Sequence, residues 1–161
     1  MRIPNKQIEK NWVLAFVILS ALLMLSSPAL SEEMVISSPL FVPVASIDPA
    51  MRIYDPNHIL FGNIQKRGAV FDEKNVNIGS VELADDERVV VRDSHYRILA
   101  ILDESGTITT GDGTRIGAIT GNRVSDNAGN ILFRLSGPQD KFGLMAYLFL
   151  FSTTFNTGET L

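Results

Sequence analysis

The chain has 161 residues, enough for one domain with short appendages, and it contains no cysteine. Disulfides, thiolate metal sites, a cysteine nucleophile and a lipidated cysteine anchor are therefore excluded. The formal net charge is −4, but the first 31 residues hold three basic side chains against one acidic one, which leaves 11 basic and 17 acidic side chains in the rest. This acidic balance argues against nucleic-acid binding, which depends on basic side chains that neutralise phosphates.

Residues 1–31 have the order of a secretory signal peptide. A basic front precedes fourteen residues without charge, from Trp12 to Leu25. Pro28 then interrupts the apolar segment, and small residues precede a cleavage point between Ser31 and Glu32. We therefore expect a signal helix that is removed, and a mature protein that is secreted or periplasmic.

The same segment leaves a membrane anchor open as an alternative. The uncharged stretch over residues 11–31 is 21 residues long, and about 20 residues suffice to span a bilayer. Because basic residues precede the apolar run, a retained anchor would also place the rest of the chain outside the cytoplasm.

Residues 32–51 are predicted to form an extended, proline-containing approach to the domain. Four of the seven prolines fall between Pro39 and Pro56. Proline fixes φ and biases the residue before it towards extended conformations, so a helix is not expected here. Apolar residues in this segment indicate that it lies against the domain as an edge strand or strap.

Residues 52–137 are predicted to form an all-β domain of short hairpins. Short apolar bursts alternate with turn-forming residues, and eleven of the twelve glycines lie between Gly62 and Gly143. A unit of apolar–x–Asp, about four turn residues and Ile-Gly-x-apolar recurs in five copies with an average spacing of about 18 residues. The third and fifth copies lack the glycine, and the fourth has Gly111 in place of the Asp. The Asp starts the turn by accepting backbone N–H groups, and the glycine permits a close backbone approach. These structural positions are Asp55, Gly62, Asp72, Gly79, Asp93, Gly117 and Asp126.

Five short hairpins of this kind behind a signal peptide resemble the bacterial five-fold β-flower family. The resemblance covers about residues 52–136 and depends on the glycine and isoleucine positions. It implies a small ring of five β petals, and it implies no activity, cofactor or functional residue. The resemblance thus implies that the hairpins close into a ring, and the residues themselves leave an open stack of hairpins as the alternative.

Residues 138–161 form an apolar C-terminal segment. No charged residue occurs from Phe142 to Phe155, and the apolar run within it is too short to span a bilayer as a helix. We expect this segment to pack on the domain as a buried strand or short helix that plugs the ring. The alternative is an exposed apolar patch that contacts a membrane or a partner.

We predict no catalytic, cofactor-binding or metal site. Asp93, Ser94 and His95 are the residue types of a hydrolase triad, but triad members converge from distant segments. Residues 111–114 resemble a phosphate-binding loop without its lysine or helix, and residues 126–130 lack the calcium-loop pattern. Both segments are predicted to be turns.

The sequence favours a non-catalytic, exported structural or binding module of the bacterial cell envelope. The expected partner is an envelope polymer or a protein, and recurring arginines could form a girdle for anionic polymers. One alternative is a hydrolase of envelope glycans that uses the carboxylates near Asp85 to Glu87. The other is a membrane-anchored protein that retains its signal, in which membrane contact comes from the anchor or the exposed tail. The arginines are Arg88, Arg92, Arg97, Arg115, Arg123 and Arg134.

Overall fold

The computed structural model describes residues 32–84 and 87–155. Every described residue belongs to one compact unit, Glu32–Leu161. The predicted signal helix lies outside the described residues, and so does Ser31, the residue before the predicted cleavage point. Within the described ranges, no helix is both long and apolar enough to cross a membrane.

The described residues form a closed barrel of twelve antiparallel strands with one short helix. Each strand pairs with its neighbours in sequence, and the barrel closes where β1 pairs with β12. The predicted all-β fold and closed ring are therefore confirmed. The strands are β1 (Met34–Ser37), β2 (Pro43–Ile47), β3 (Arg52–Tyr54), β4 (Leu60–Ile64), β5 (Ala69–Asp72), β6 (Asn77–Leu83), β7 (Val89–Asp93), β8 (Ile98–Leu102), β9 (Thr107–Thr109), β10 (Arg115–Thr120), β11 (Arg123–Asp126) and β12 (Ile131–Ser136).

The strands form six hairpins within the described residues, one more than the five units of the sequence repeat. The five units correspond to the hairpins from β3–β4 to β11–β12. The additional hairpin consists of β1 and β2, from the segment over residues 32–51 that was predicted to be an approach or strap. Val35 pairs with Ser136 on one side and with Ser46 on the other, so this segment is part of the closed sheet.

The prolines fit this hairpin because of where they stand. Pro39 and Pro49 lie in turns, and Pro43 is the first residue of β2. A proline in a turn or at a strand end removes no ladder hydrogen bond from the middle of a sheet. The prolines of residues 32–51 therefore mark turns and a strand end within the barrel, and the expected approach segment outside the barrel was wrong.

One five-residue turn joins the two strands of each hairpin, and we call these six turns the tip turns. In each, the N–H of the first residue donates to the carbonyl of the fifth, and the N–H of the fourth donates to the carbonyl of the first. This is a type I turn followed by a residue with positive φ. We call the barrel end that carries them the tip rim and the opposite end the base rim. The tip turns are residues 38–42, 55–59, 72–76, 93–97, 110–114 and 126–130.

The barrel interior repeats six times as well. The residue two positions before each tip turn is an isoleucine or valine without solvent exposure, and it pairs across the hairpin with a residue that is small in five of the six cases. Large and small side chains thus alternate around the wall. The pairs are Ile36–Ala45, Ile53–Gly62, Val70–Gly79, Val91–Ala100, Ile108–Gly117 and Val124–Phe133.

A β-bulge in every hairpin explains the Ile-Gly pattern of the sequence. The register shifts by one residue just before the small position, which leaves an extra residue there. This residue is apolar in all six hairpins and packs half-buried against the core. The bulged residues are Val44, Phe61, Ile78, Leu99, Ile116 and Leu132.

The C-terminal segment fills the barrel. Helix α1 (Lys141–Ala146) begins at Asp140, whose carboxylate accepts the N–H groups of Phe142 and Gly143, and it continues into a π-helical segment (Tyr147–Phe151). Every residue from Gly143 to Phe149 is buried. A helix that is apolar on all sides must be surrounded by other elements.

The contacts of this segment reach several strands of the barrel, including β4, β6 and β12. The Phe151 ring stacks on Phe61 of β4 with the ring centroids 6.5 Å apart, and Tyr147 contacts Phe133 of β12 edge to face. A Cβ built on Gly79 of β6 would lie 3.0 Å from the Leu150 side chain. The small positions of the wall therefore make room for the large side chains of the segment.

Candidate binding surface

The exposed large apolar side chains of the described residues are concentrated at the tip rim. Leu83 is exposed at the opposite end, close to the turn between β6 and β7. The tip rim carries the others, and all but Ile98 lie within the tip turns of the first four hairpins. We call these six residues the apolar arc: Leu40, Phe41, Val42, Ile59, Val76 and Tyr96.

The apolar arc occupies one side of the rim. Its four hairpins are consecutive neighbours in the barrel, so their tip turns lie side by side. The remaining two tip turns, residues 110–114 and 126–130, consist of Gly, Asp, Asn, Ala and Thr. Phe41 is 71% exposed and Tyr96 is 81% exposed. Exposed large apolar side chains that are grouped on neighbouring turns mark contact sites.

The residue at the fourth position of the tip turn makes two of these hairpins unusual. This position has positive φ in all six turns, and glycine fills it in the last two. In the first four turns it is filled by Phe41 (φ 63°), His58 (φ 60°), Asn75 (φ 61°) and Tyr96 (φ 64°). For a bulky side chain this conformation costs roughly 1–2 kcal/mol. Asparagine and histidine tolerate it, whereas Phe41 and Tyr96 carry a strain that glycine at the same position would avoid.

Arg134 of β12 supports the first tip turn. Its Nε donates a hydrogen bond of 3.2 Å to the Pro39 carbonyl, and its guanidinium lies 4.5 Å from the centroid of the Phe41 ring. The stacking attaches the exposed ring to the neighbouring hairpin across the seam between β1 and β12. Phe41 is therefore held in place while most of its surface faces solvent.

Charges within the first four tip turns are satisfied inside the turns. Asp93 and Arg97 form an ion pair with 2.6 Å between Oδ2 and Nε. The Ile59 N–H donates to the Asp55 carboxylate and, with Asn57, lowers the pKa of Asp55 from its ordinary value. The pKa of Asp93 is also lowered, because hydrogen bonds and the charge of Arg97 outweigh the burial that would raise it. These carboxylates are bound by their own turns.

The structural residues predicted from the sequence fall into two sets. Asp55, Asp72, Asp93 and Asp126 are each the first residue of a tip turn. The Oδ1 atoms of the first three each accept the N–H groups of the third and fifth turn residues at 2.7–2.9 Å. Gly62, Gly79 and Gly117 are buried at the small positions of the wall. The two sets therefore form the tip rim and the barrel lining.

The segments that resembled catalytic or ligand-binding motifs are turns. The Ser94 Oγ and the His95 Nδ1 are 3.5 Å apart on an exposed turn, and the Asp93 carboxylate is directed to the backbone and to Arg97. The Asp112 carboxylate accepts the Thr110 hydroxyl and the Thr114 N–H. The Asp126 carboxylate accepts the backbone and side-chain N–H groups of Asn130, both at 2.8 Å.

Part of the acidic segment between β6 and β7 lies outside the described residues, including Asp85 and Asp86. Glu87 is described and exposed, and Glu82 lies 3.8 Å from Arg92. Within residues 32–84 and 87–155, no group of three or more His, Asp or Glu side chains is arranged to hold a metal ion.

The chain matches no family model, no curated protein and no solved structure. The resemblance to the β-flower family therefore stays a prediction, and the function is argued from the barrel itself.

The apolar arc was not identified from the sequence, although a signal for it is present. Once the six tip turns are aligned on their first residue, the fourth position contains Phe, His, Asn, Tyr, Gly and Gly in chain order. Aromatic residues at a position that favours glycine indicate a requirement other than folding. The five-unit repeat omitted the first hairpin, which carries three of the six arc residues.

Proposed function

We propose that this protein is a non-catalytic, exported binding module of the bacterial cell envelope, and that the apolar arc is its binding surface. The observation that carries this proposal is the exposure of Phe41 and Tyr96 on strained tip turns of a filled barrel. Apolar side chains held in this way have no role in the core. A partner that covers them would remove apolar surface from water and offset the strain.

Export is proposed from the sequence of residues 1–31, and the partner class from the predicted location. An envelope polymer, a membrane or a second protein would each meet the tip rim. The membrane-anchored form with a retained signal is compatible with the same binding surface, because every residue of the apolar arc lies outside residues 1–31.

Localisation is tested by expressing the full-length chain in a bacterium and measuring its intact mass in each cell fraction. We expect a periplasmic or extracellular protein that has lost residues 1–31. A full-length mass in the membrane fraction would favour the anchored form, and a full-length mass in the cytoplasm would contradict export.

Binding is tested with the protein recovered from those cells and isolated envelopes. The variant with Phe41→Asp and Tyr96→Asp changes the apolar arc, and Leu83→Asp is the matched control because Leu83 is 58% exposed at the other end of the barrel. We expect the wild type and the control to sediment with envelopes and the arc variant to bind roughly tenfold more weakly. Equal sedimentation of all three would contradict the arc as the binding surface.

The glycan-hydrolase alternative is tested in the same preparations. A hydrolase would release reducing ends from envelope glycans, and Glu87→Gln would reduce that release if the acidic segment carried the reaction. The proposed binding module releases none. Glu87→Gln should leave envelope binding unchanged.

A further inference from the structure

We propose that the apolar arc inserts into the interface of a lipid bilayer that carries little net charge. This inference depends on the proposed function, because it names the partner of the same binding surface. The three observations behind it are the shape of the arc, its chemical composition and its charge.

The shape of the arc fits a soft surface. The six side chains are distributed over four separate tip turns, and each turn is a short projection from the end of the barrel. A bilayer interface accepts several projecting side chains at once without a matching surface, and apolar groups enter it to a depth of about 5–10 Å.

The composition of the arc also fits a bilayer. Four of its members are aliphatic, and the other two are Phe41 and Tyr96. Aliphatic and phenylalanine side chains enter the hydrocarbon boundary, and tyrosine places its ring at the level of the headgroups. The Leu40 side chain, which is 84% exposed, would lose the largest fraction of its contact with water.

The charge of the arc indicates a bilayer of zwitterionic lipids. Binding to anionic lipids depends on exposed, available basic side chains. The first four tip turns contain four acidic side chains and only two basic ones, Lys74 and Arg97, which lie 3.9 Å from Glu73 and 2.6 Å from Asp93. Residues 32–161 also carry six more acidic than basic side chains. An anionic surface would therefore repel the domain, whereas a neutral surface would accept it.

Flotation with phosphatidylcholine vesicles tests the proposal, using the protein recovered from cells. We expect the wild type and Leu83→Asp to float with the vesicles, and the variant with Phe41→Asp and Tyr96→Asp to float at least tenfold less. Replacing part of the phosphatidylcholine with phosphatidylglycerol at low salt should weaken binding. Stronger binding to the anionic vesicles would overturn the charge argument.

A site-specific probe separates insertion of the arc from insertion of residues 1–31, should these be retained. Tyr96→Trp places an indole on the arc, and Leu83→Trp places one at the base rim. Brominated phosphatidylcholine should quench the fluorescence that Tyr96→Trp adds and leave that of Leu83→Trp unchanged. Quenching of both or of neither would overturn the proposal.

The envelope experiment distinguishes failure of this inference from failure of the proposed function. If the wild type ignores vesicles while the arc variant still loses envelope binding, the partner is a protein or a glycan, and the lipid proposal is wrong. If neither vesicles nor envelopes bind the wild type, both proposals are wrong. Vesicle binding that is equal for the wild type and the arc variant would also overturn the inference.

Discussion

Gly62 is the position where the fit between the barrel wall and its filling segment can be tested most directly. It lies in β4 opposite Ile53, and a Cβ built on it would lie 2.2 Å from the Phe71 carbonyl oxygen of β5. The same Cβ would lie 2.6 Å from Cζ of Phe151 in the π-helical segment. Gly62→Ala therefore places one methyl group against a neighbouring strand and against the centre of the barrel.

The two contacts differ in how easily they can be relieved. The Phe151 ring is half-buried and can rotate or shift, whereas the Phe71 carbonyl belongs to a strand that is held to β4 by the pairs Asn63–Phe71 and Ile64–Val70. Adding a methylene to a packed core costs about 1–3 kcal/mol. Because β4 must move away from β5, we expect the upper end, about 3 kcal/mol, and a melting temperature lower by about 10 °C.

The measurement is thermal unfolding of the protein recovered from cells, followed by far-ultraviolet circular dichroism. Gly129→Ala is the matched control, because Gly129 has a φ of +85° and no heavy atom within 4 Å of its Cβ position. Its cost comes from the backbone alone, about 1 kcal/mol. A Gly62→Ala protein that melts at or above the temperature of the control would refute the close packing of this wall.

A second substitution tests whether the filling segment causes part of the cost. Phe151→Leu removes the ring that faces the new methyl group and leaves the Phe71 carbonyl in place. We expect Gly62→Ala and Phe151→Leu together to cost about 1 kcal/mol less than the sum of the single substitutions. Strict additivity would mean that the segment does not approach β4 as closely as the structure places it.

Three further predictions concern the helix start, the core and the tip turns. Asp140→Ala removes the acceptor for two N–H groups of α1 and should cost about 1 kcal/mol in urea unfolding, whereas Asp140→Asn should cost less. Ile108→Ala empties a fully buried position and should cost about 3 kcal/mol, again by urea unfolding; a cost below about 1 kcal/mol would remove it from the core. The pKa values of Asp55 and Asp126 are lowered by hydrogen bonds within their turns, with the Ile59 N–H the largest contributor for Asp55 and the Asn130 side chain for Asp126. Since these pKa values are lower in the folded state, the contribution to stability is complete above the unfolded pKa of about 4 and is lost as the pH falls through the folded values. The urea midpoint should therefore fall on acidification below about pH 5, and less steeply in Asp55→Asn; a midpoint that rises on acidification would contradict the sign.

The hairpin repeat could be predicted from the sequence because each unit carries its own local chemistry. An Asp at the first turn position can bind the backbone of its own turn whatever surrounds it, as Asp72 does with the N–H groups of Lys74 and Val76. The first hairpin was missed because Ser38 replaces that Asp and Ala45 replaces the glycine. Both replacements keep the role of the position, since Ser38 Oγ accepts the N–H of Val42 and Ala45 pairs with the buried Ile36.

Features that depend on residues distant in sequence could not be predicted in the same way. The closure of the barrel needs Val35 to pair with Ser136, and no local pattern relates these residues. The position of the C-terminal segment depends on the space left by small wall residues such as Gly79. The sequence identified these glycines as strand residues but did not predict what packs against them. The apolar length of the C-terminal segment was evident, but a buried helix and an exposed patch have the same composition.

The tip rim differs from the interior in a way that bears on function. The interior has the same apolar chemistry in all six hairpins, as the closing of a ring from equivalent units requires. The hairpins differ at the fourth residue of the tip turn. The last two turns have glycine there, whereas the turn over residues 93–97 has Tyr96, which is 81% exposed and has a φ of 64°. Tyr96→Gly should relieve strain of about 1 kcal/mol and raise the melting temperature, and it should weaken binding at the tip rim. A higher melting temperature together with weaker binding would show that Tyr96 serves binding and not folding. Unchanged binding would show that Tyr96 is not part of the binding surface.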